Sequence, residues 1–391
     1  MRGSVKQRGS SWRVMVDIGD DPSTGKRRQQ SFTCKTKREA EKKLAKLITQ
    51  VDSGGYVRPA KVTVADFLRQ WLQDYASVNV RARTAHGYQH KIERHIIPTL
   101  GAVPLADLRP DHLTAFYAQA MKDGRADGKE GGLSARTVRH FHRILHDALA
   151  WGVRMGLVAR NVADAVTAPR AKAKEMRALD NHELTRLLEK ARETEWYAPI
   201  HLAAFTGMRR SEVLGLRWQD VDLDLATISV TQTLHDLGSN KIVIERPKSA
   251  KSARQIALSP SACLVLRSHR ERQENERAMF GLTLRDTDLV FSRGDGSAML
   301  PNSLTHAFGR IARAAGLPDV HLHTLRHSHA SLMLQAGVNV KTISSRLGHA
   351  NIGITMDVYA HLLPGADEGA ALQFEQAMNG HALAPARISP E

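Results

Sequence analysis

Two interruptions divide this chain into three stretches, and each stretch has its own hydrophobic pattern. The first is Gly54-Gly55 followed by Pro59. The second is 168–178 (Ala-Pro-Arg-Ala-Lys-Ala-Lys-Glu-Met-Arg-Ala), a basic run that reads as a structureless linker. At 391 residues the chain is too long for one compact core. The interruptions therefore read as boundaries, giving segments 1–58, 61–170 and 175–391. With 42% hydrophobic residues, a core can form without staples.

Segment 1–58 reads as a small sheet with one helix. Trp12, Val14, Val16 and Ile18 alternate as in a half-buried strand. Asp20 to Gly25 is a turn cluster, and Arg27 to Thr33 gives a second strand. Thr36 and Glu39 have capping-box spacing, and Ala40, Leu44, Leu47 and Ile48 share a helical face. Segment 61–170 reads as wholly helical, with four apolar stripes: Val64 to Tyr75, Tyr88 to Ile97, Leu105 to Met121, and Val138 to Ala148 capped by Ser134. A polar loop, Lys122 to Gly132, lies between the last two. Segment 175–391 reads as mixed. A capping box at Asp180 and Glu183 opens it, and helices follow around 196–217. Strands are expected at 226–231, 242–245 and 254–258, then helices at 304–315, 323–335, 341–347 and 354–360.

Charge is spread unevenly over these segments. The chain carries a net +16. Residues 1–60 hold 14 Lys/Arg against 6 Asp/Glu, residues 61–170 hold 16 against 10, and residues 171–391 hold 26 against 24. A basic front on a nearly balanced remainder points to a polyanionic partner gripped by the N-terminal part. A sheet presenting Lys26, Arg27 and Arg28 fits a major groove, although a solvated basic surface has the same sequence. The helical segment suits either a DNA clamp or a packing module. Two cysteines, Cys34 and Cys263, offer no disulfide framework and fit a reducing compartment. The start lacks an apolar core of signal-peptide length, and no apolar stretch is long enough to span a bilayer. A soluble, cytoplasmic protein is expected.

The chemistry-bearing residues lie in the last segment. Arg209 follows a Thr206-Gly207 break and projects from a turn; Arg326 lies early in a helix more than a hundred residues later. Two guanidiniums converging on one phosphate would neutralise its non-bridging oxygens in a transition state. Taken singly, each is an ordinary surface or salt-bridge arginine. Glu212, one turn from Arg209, either orients it or pairs on the surface. Lys248 follows the 242–245 strand, on the tip of a hairpin with 254–258, where it could protonate a leaving oxygen. Lys251 is its possible substitute, and a plain basic turn has the same spacing. His323 shares a helical face with Arg326, and His349 follows Gly348; both are able to donate hydrogen bonds or move a proton. Tyr359 is one of 6 tyrosines, and its phenol near ~10 needs cations or a base to attack at neutral pH. A metal at His323, His327 and His329 is disfavoured. No Glu holds the position that a metalloprotease helix needs, and Arg326 would repel a cation.

Together, the strings Thr206-Gly-Met-Arg-Arg-Ser-Glu, Trp218-Gln-Asp-Val-Asp, His323-Thr-Leu-Arg-His-Ser-His-Ala and Leu347-Gly-His-Ala resemble the tyrosine recombinases of the phage-integrase type. The family signature, Arg…Lys…His-x-x-Arg…His/Trp…Tyr, falls on Arg209, Lys248, His323, Arg326, His349 and Tyr359. Trp12, Thr24-Gly-Lys-Arg and Lys37-Arg-Glu-Ala-Glu are similar to an arm-type DNA-binding domain, and 61–170 to a helical, SAM-like core-binding domain. The resemblance implies a multidomain, mainly α chain: a three-stranded sheet plus helix, a helical domain, and an α+β catalytic domain.

The implied reaction is attack by Tyr359 on a DNA phosphate. It forms a 3′-phosphotyrosyl bond and releases a 5′-hydroxyl, which then rejoins strands through a Holliday junction. No cofactor, metal or ATP is expected. The implied partners are double-stranded DNA attachment sites, three further protomers completing a homotetramer, an excision factor and a host DNA-bending protein. DNA contacts are expected from Lys26, Arg27, Arg28, Arg81, Arg83, Arg136 and Arg139. The tail stripe Ala370, Ala371, Phe374, Ala377 and Met378 would dock on a neighbouring protomer or on its own domain. The rival activities are type IB topoisomerase-like relaxation, non-catalytic DNA-binding regulation and a metal-dependent nuclease. An arm domain and docking tail argue against the first, Tyr359 with Arg209 and Arg326 against the second, and a missing carboxylate cluster against the third.

Overall fold

The computed structural model describes residues 3–20, 27–52, 62–171, 176–238, 241–247, 252–349 and 351–359, with helical residues among 371–378. It divides into two compact units, Met1–Ala173 and Lys174–Glu391.

The first unit holds two separate hydrophobic cores. One lies under an antiparallel sheet of β1 (Gly3–Arg8), β2 (Ser11–Asp20) and β3 (Arg27–Cys34), in that order. Val14 pairs with Phe32 and Trp12 with Cys34 across β2 and β3. The alternation along β2 puts Val14 and Val16 inside, against Ala40 and Leu47 of α1 (Lys37–Asp52). The Glu39 N–H donates to Thr36 Oγ1 at 3.3 Å, so the expected cap forms.

The second core is helical. It is built by α2 (Val64–Trp71), α3 (Ala82–Lys91), α4 (Pro110–Asp123) and α5 (Ala135–Arg154). Both α2 and α3 run on into π-helical turns, Leu72–Ala76 and Ile92–Ile96. Thr63 and Asp66 close a full capping box on α2, and Ser134 caps α5. Trp71 stacks on Tyr75 and Tyr88, with ring centres 6.2 and 5.7 Å away.

The second unit begins with α6 (Asn181–Arg192), capped by the Asp180–Glu183 box. Nearly every residue of α7 (Tyr197–Thr206) is buried, and it packs against α6, a short α8 (Arg210–Leu214), α9 (Pro260–Met279) and α11 (Leu322–Gln335). Two small antiparallel sheets flank this bundle. One is β4 (Val221–Asp222), β5 (Thr227–Val230) and β8 (Arg254–Ala257); the other is β6 (Thr233–Asp236) with β7 (Ile242–Glu245). After α10 (Pro301–Ala314) come α11, α12 (Val340–Leu347) and α13 (Ile352–Tyr359). Ala330 and Leu334 of α11 meet Ile343 and Leu347 of α12 in a small apolar cluster. Among the described residues, no helix is long and apolar enough to cross a membrane.

The strand pairing corrects one expectation. The segments 242–245 and 254–258 do not form a hairpin with each other. β7 turns back on β6, while β8 pairs with β5, Ile228 opposite Ile256. That register places Ile228, Val230 and Ile256 in the core, which a β7–β8 hairpin would not do. Lys248 and Lys251, between β7 and β8 in the sequence, lie outside the described residues.

Candidate active site

Four of the six expected catalytic residues come together around the C-terminal end of α12. Gly207 ends α7 in the left-handed region at φ 65°, which swings the chain away from the helix axis. Arg209 then sits at the N-cap of α8 with its side chain 36% exposed. Gly348 ends α12 in the same way at φ 67°. Arg209 Nη2 donates to Gly348 O at 3.4 Å, so the two turns face each other. Arg326 lies between them, only 3% exposed, donating from Nη1 to Gly207 O (2.8 Å) and from Nη2 to Leu347 O (2.7 Å). One guanidinium thus forms the floor of the site and the other its open wall.

Glu212 resolves an open alternative. It does not pair on the surface; it is 2% exposed and lies beneath Arg209. Its Oε1 accepts from Arg209 Nη1 at 2.7 Å and its Oε2 from the Arg209 N–H at 2.9 Å. Arg254, at the start of β8, holds the same carboxylate from the other side, Nη2 to Oε2 at 3.0 Å. Burial pushes the Glu212 carboxyl up, but the hydrogen bonds and charges of Arg254 and Arg209 outweigh it and hold it below the usual range. The sequence reading did not single out Arg254. A lone Arg opening a strand gives no sign of burial.

The histidines line the same cluster as neutral imidazoles. His349 is held down to about 4 by burial and by the guanidiniums of Arg326, Arg209 and Arg254. Its Nδ1 lies 2.8 Å from the hydroxyl of buried Thr355 on α13, which fixes the ring. His323 is lowered by desolvation, then by Arg326 and Arg209. Its ring meets His327 edge to face, with centres 4.8 Å apart. His329 takes another part. Its Nδ1 donates to Ala204 O (3.0 Å) and its Nε2 accepts from Arg346 Nε (3.1 Å), so both ring nitrogens are committed. Among the described residues, no three His, Cys, Asp or Glu side chains group as a metal site requires. Tyr359 is the last residue of α13; its side chain lies outside the described residues.

A second concentration of positive charge lies in the helical part of the first unit. Arg136 and Arg139 on α5 are exposed, and with Lys91 and Arg143 they lower His140, after desolvation. His90 is lowered by burial, then by Arg94 and Lys91. The face therefore joins α3 to α5. Lys91 and Arg94 were not among the expected contacts, although the 3–4 spacing of Arg83, His86, His90 and Arg94 marks one helical side. Arg81 and Arg83 are exposed at the start of α3. Lys26 and the side chains of Arg27 and Arg28 lie outside the described residues.

A mainly helical fold in which an arginine from a turn and an arginine from a helix meet two histidines at a helix end, just before a helix closing on Tyr, defines a class. The chain belongs to the phage integrase family of tyrosine recombinases. Three family models match it in order: an Arm DNA-binding domain at 4–51, a phage integrase N-terminal SAM-like domain at 63–121, and the phage integrase family itself at 177–365. It is 30% identical over 362 residues to an integrase of Streptomyces ambofaciens, covering 89% of this chain and 88% of that one. It is 27% identical over 378 residues to a XerC-like tyrosine recombinase of Caldanaerobacter subterraneus, covering 92% and 94%. Its fold matches the Tn1549 transposon integrase in complex with transposon right end DNA (TM-score 0.66, 19% identity, 81% and 100% covered). It also matches a lambda integrase tetramer bound to a Holliday junction (TM-score 0.58, 19% identity, 90% and 96% covered). These matches do not favour the topoisomerase-like or regulator alternatives.

Proposed function

We propose that Arg209, Lys248, His323, Arg326, His349 and Tyr359 are the catalytic set of this recombinase. The observation that carries the reading is the convergence of Arg209, Arg326 and His349 on one helix end, six residues before α13 reaches Thr355 and ten before Tyr359. The chain is a site-specific recombinase that cuts and rejoins DNA strands through a phosphotyrosyl intermediate. The Tyr359 phenol gives up its proton to solvent as its oxygen attacks phosphorus and the bond to the 5′ oxygen breaks, and Lys248 supplies the proton that the leaving 5′ oxygen takes up. Arg209 and Arg326 neutralise the non-bridging oxygens, and the Glu212 carboxylate keeps Arg209 in place before DNA arrives. His323 and His349, neutral in the free protein, donate hydrogen bonds to the phosphate. The phosphate's negative charge offsets the guanidiniums that lower them, so binding raises their proton affinity. Because the phosphotyrosyl bond conserves the energy of the phosphodiester, rejoining by a 5′-hydroxyl needs no ATP.

Residues 1–58 serve as the arm-type DNA-binding domain, 61–170 as the core-binding domain and 175–391 as the catalytic domain with its tail. The exposed α3–α5 face supports DNA contact by Arg136 and Arg139. Four protomers assemble on paired attachment sites in the cytoplasm, with an excision factor and a host bending protein as further partners. Exposed Leu372 and Phe374 in the tail favour docking on a neighbouring protomer.

Covalent trapping tests the reading. Protein and its Tyr359→Phe variant are mixed in EDTA with nicked duplexes taken from DNA flanking the gene. A denaturant-stable protein–DNA band from wild type alone is expected. A band from both would move the nucleophile to another residue, and a requirement for added metal would overturn the mechanism.

A further inference from the structure

Three successive carbonyls at the end of α12 each hold a different arginine. Arg346 O accepts from Arg254 Nε at 2.6 Å, Leu347 O from Arg326 Nη2 at 2.7 Å, and Gly348 O from Arg209 Nη2 at 3.4 Å. The last carbonyls of a helix lack partners within it and carry the negative end of its dipole. This helix end is therefore a fixed, partly negative acceptor around which like charges gather without a second carboxylate. The left-handed turn at Gly348 redirects the backbone there.

We propose that Arg254 is a positioning residue that sets Arg209 for catalysis by tying Glu212 to this helix end. The inference rests on the reading above, in which Arg209 acts on the scissile phosphate. Arg254 is 6% exposed on its side chain and cannot itself reach a ligand. All three of its nitrogens are engaged: Nε on Arg346 O, Nη2 on Glu212 Oε2 at 3.0 Å, and Nη1 on Glu212 Oε1 at 3.3 Å and Ser252 O at 3.1 Å. Glu212 in turn grips Arg209 through both its side chain and its N–H. A chain of contacts thus runs from α12 through Arg254 and Glu212 to Arg209, while Gly348 O closes the loop directly. The far end is anchored as well, because the Arg346 side chain holds Phe205 O (3.1 Å) and His329 on the inner helices α7 and α11. No room is left for slack: a Cβ at Gly348 would lie 2.9 Å from Arg254 Nη1 and 3.0 Å from its Cδ. A lysine at 254 would keep the charge beside Glu212, but one ammonium cannot span both carboxylate oxygens and the Arg346 carbonyl.

The test is a cycle on the full-length chain: wild type, Arg254→Lys, Arg209→Ala and the double variant. Single-turnover covalent capture of nicked duplexes from the gene's flanks is measured at saturating protein, with DNA affinity measured separately. Arg254→Lys is expected to slow capture roughly 10²-fold at unchanged affinity, the order a misplaced catalytic group costs. In the Arg209→Ala background the same change should do almost nothing, because its route is already cut. A merely structural role would instead multiply the loss in both backgrounds, and that result overturns the inference. So does wild-type capture by Arg254→Lys, which leaves the recombinase reading standing. Absence of capture by wild type brings down the recombinase reading and this inference with it. Should Arg254→Lys not fold, Arg254→Gln, which keeps a hydrogen-bond donor beside Glu212, enters the same cycle with the same expectations.

Discussion

Two regions of this molecule concentrate positive charge, and they do it in opposite ways. At the end of α12, Arg209, Arg254 and Arg326 are bound to a buried carboxylate and to backbone carbonyls. On the α3–α5 face, Arg136 and Arg139 are exposed on a helix surface. The first arrangement fixes charge where a transition state will need it, at the cost of burying ions that must stay paired. The second leaves long side chains able to follow a backbone of phosphates, and its strength depends on salt. Held charge serves reaction and exposed charge serves adhesion.

The largest expected effect breaks the held cluster. Arg209→Ala should slow strand cleavage about 10²–10³-fold in single-turnover capture, with little change in DNA affinity or its salt dependence. A flattened salt slope in that variant would erase the distinction between the regions. Next comes acid sensitivity of the second unit. His201, His269, His327, His329 and His349 are each lowered from 6.5 to about 4, burial first, by the fold around them. The unfolded chain therefore binds more protons than the folded one between these values. The stability they contribute is present above about 6.5 and is lost as the pH falls toward 4. Thermal unfolding followed across that window should show a steady drop, and a flat profile would contradict neutral packing of these rings. The smallest effect is on the exposed face. Arg136→Ala and Arg139→Ala should each weaken DNA binding modestly and reduce the salt slope by about 1, leaving the cleavage rate at saturation unchanged. A slowed rate at saturation would place those residues in the chemistry.

Much of this organisation was legible in the chain. The alternation of Val14 and Val16, the apolar stripes of the helical segment and the capping pairs Thr36–Glu39 and Asp180–Glu183 all reflect local geometry, which periodicity reports directly. Thr206-Gly207 and Leu347-Gly348 were readable as turns because a left-handed residue favours glycine. What escaped is pairing at a distance. The β7–β8 hairpin was wrong because neighbours in sequence are the default partners, and only the core position of Ile228 and Ile256 selects β5 for β8. Helix α9 carries Arg-Ser-His-Arg-Glu-Arg-Gln-Glu-Asn-Glu-Arg through its middle, too polar to display a stripe, yet Gln273 and Arg277 in that run are buried. Gln273 accepts from the Trp218 indole at 2.8 Å. Arg254 and Arg346 were not singled out, since sequence does not distinguish a solvated guanidinium from one satisfied by carbonyls.

The π-turns at Leu72–Ala76 and Ile92–Ile96 bear on how such a gene can change length. A π-turn holds one residue more than a regular helix uses over the same arc. Losing one residue there, such as exposed Gln73, lets the helix close into ordinary α geometry with both flanks keeping their faces toward the core. The same loss inside α5, a regular helix of 20 residues, would rotate everything beyond it by about 100° and turn its apolar side to water. Single-codon deletions in this unit should therefore survive selection at these two turns far more readily than along α5.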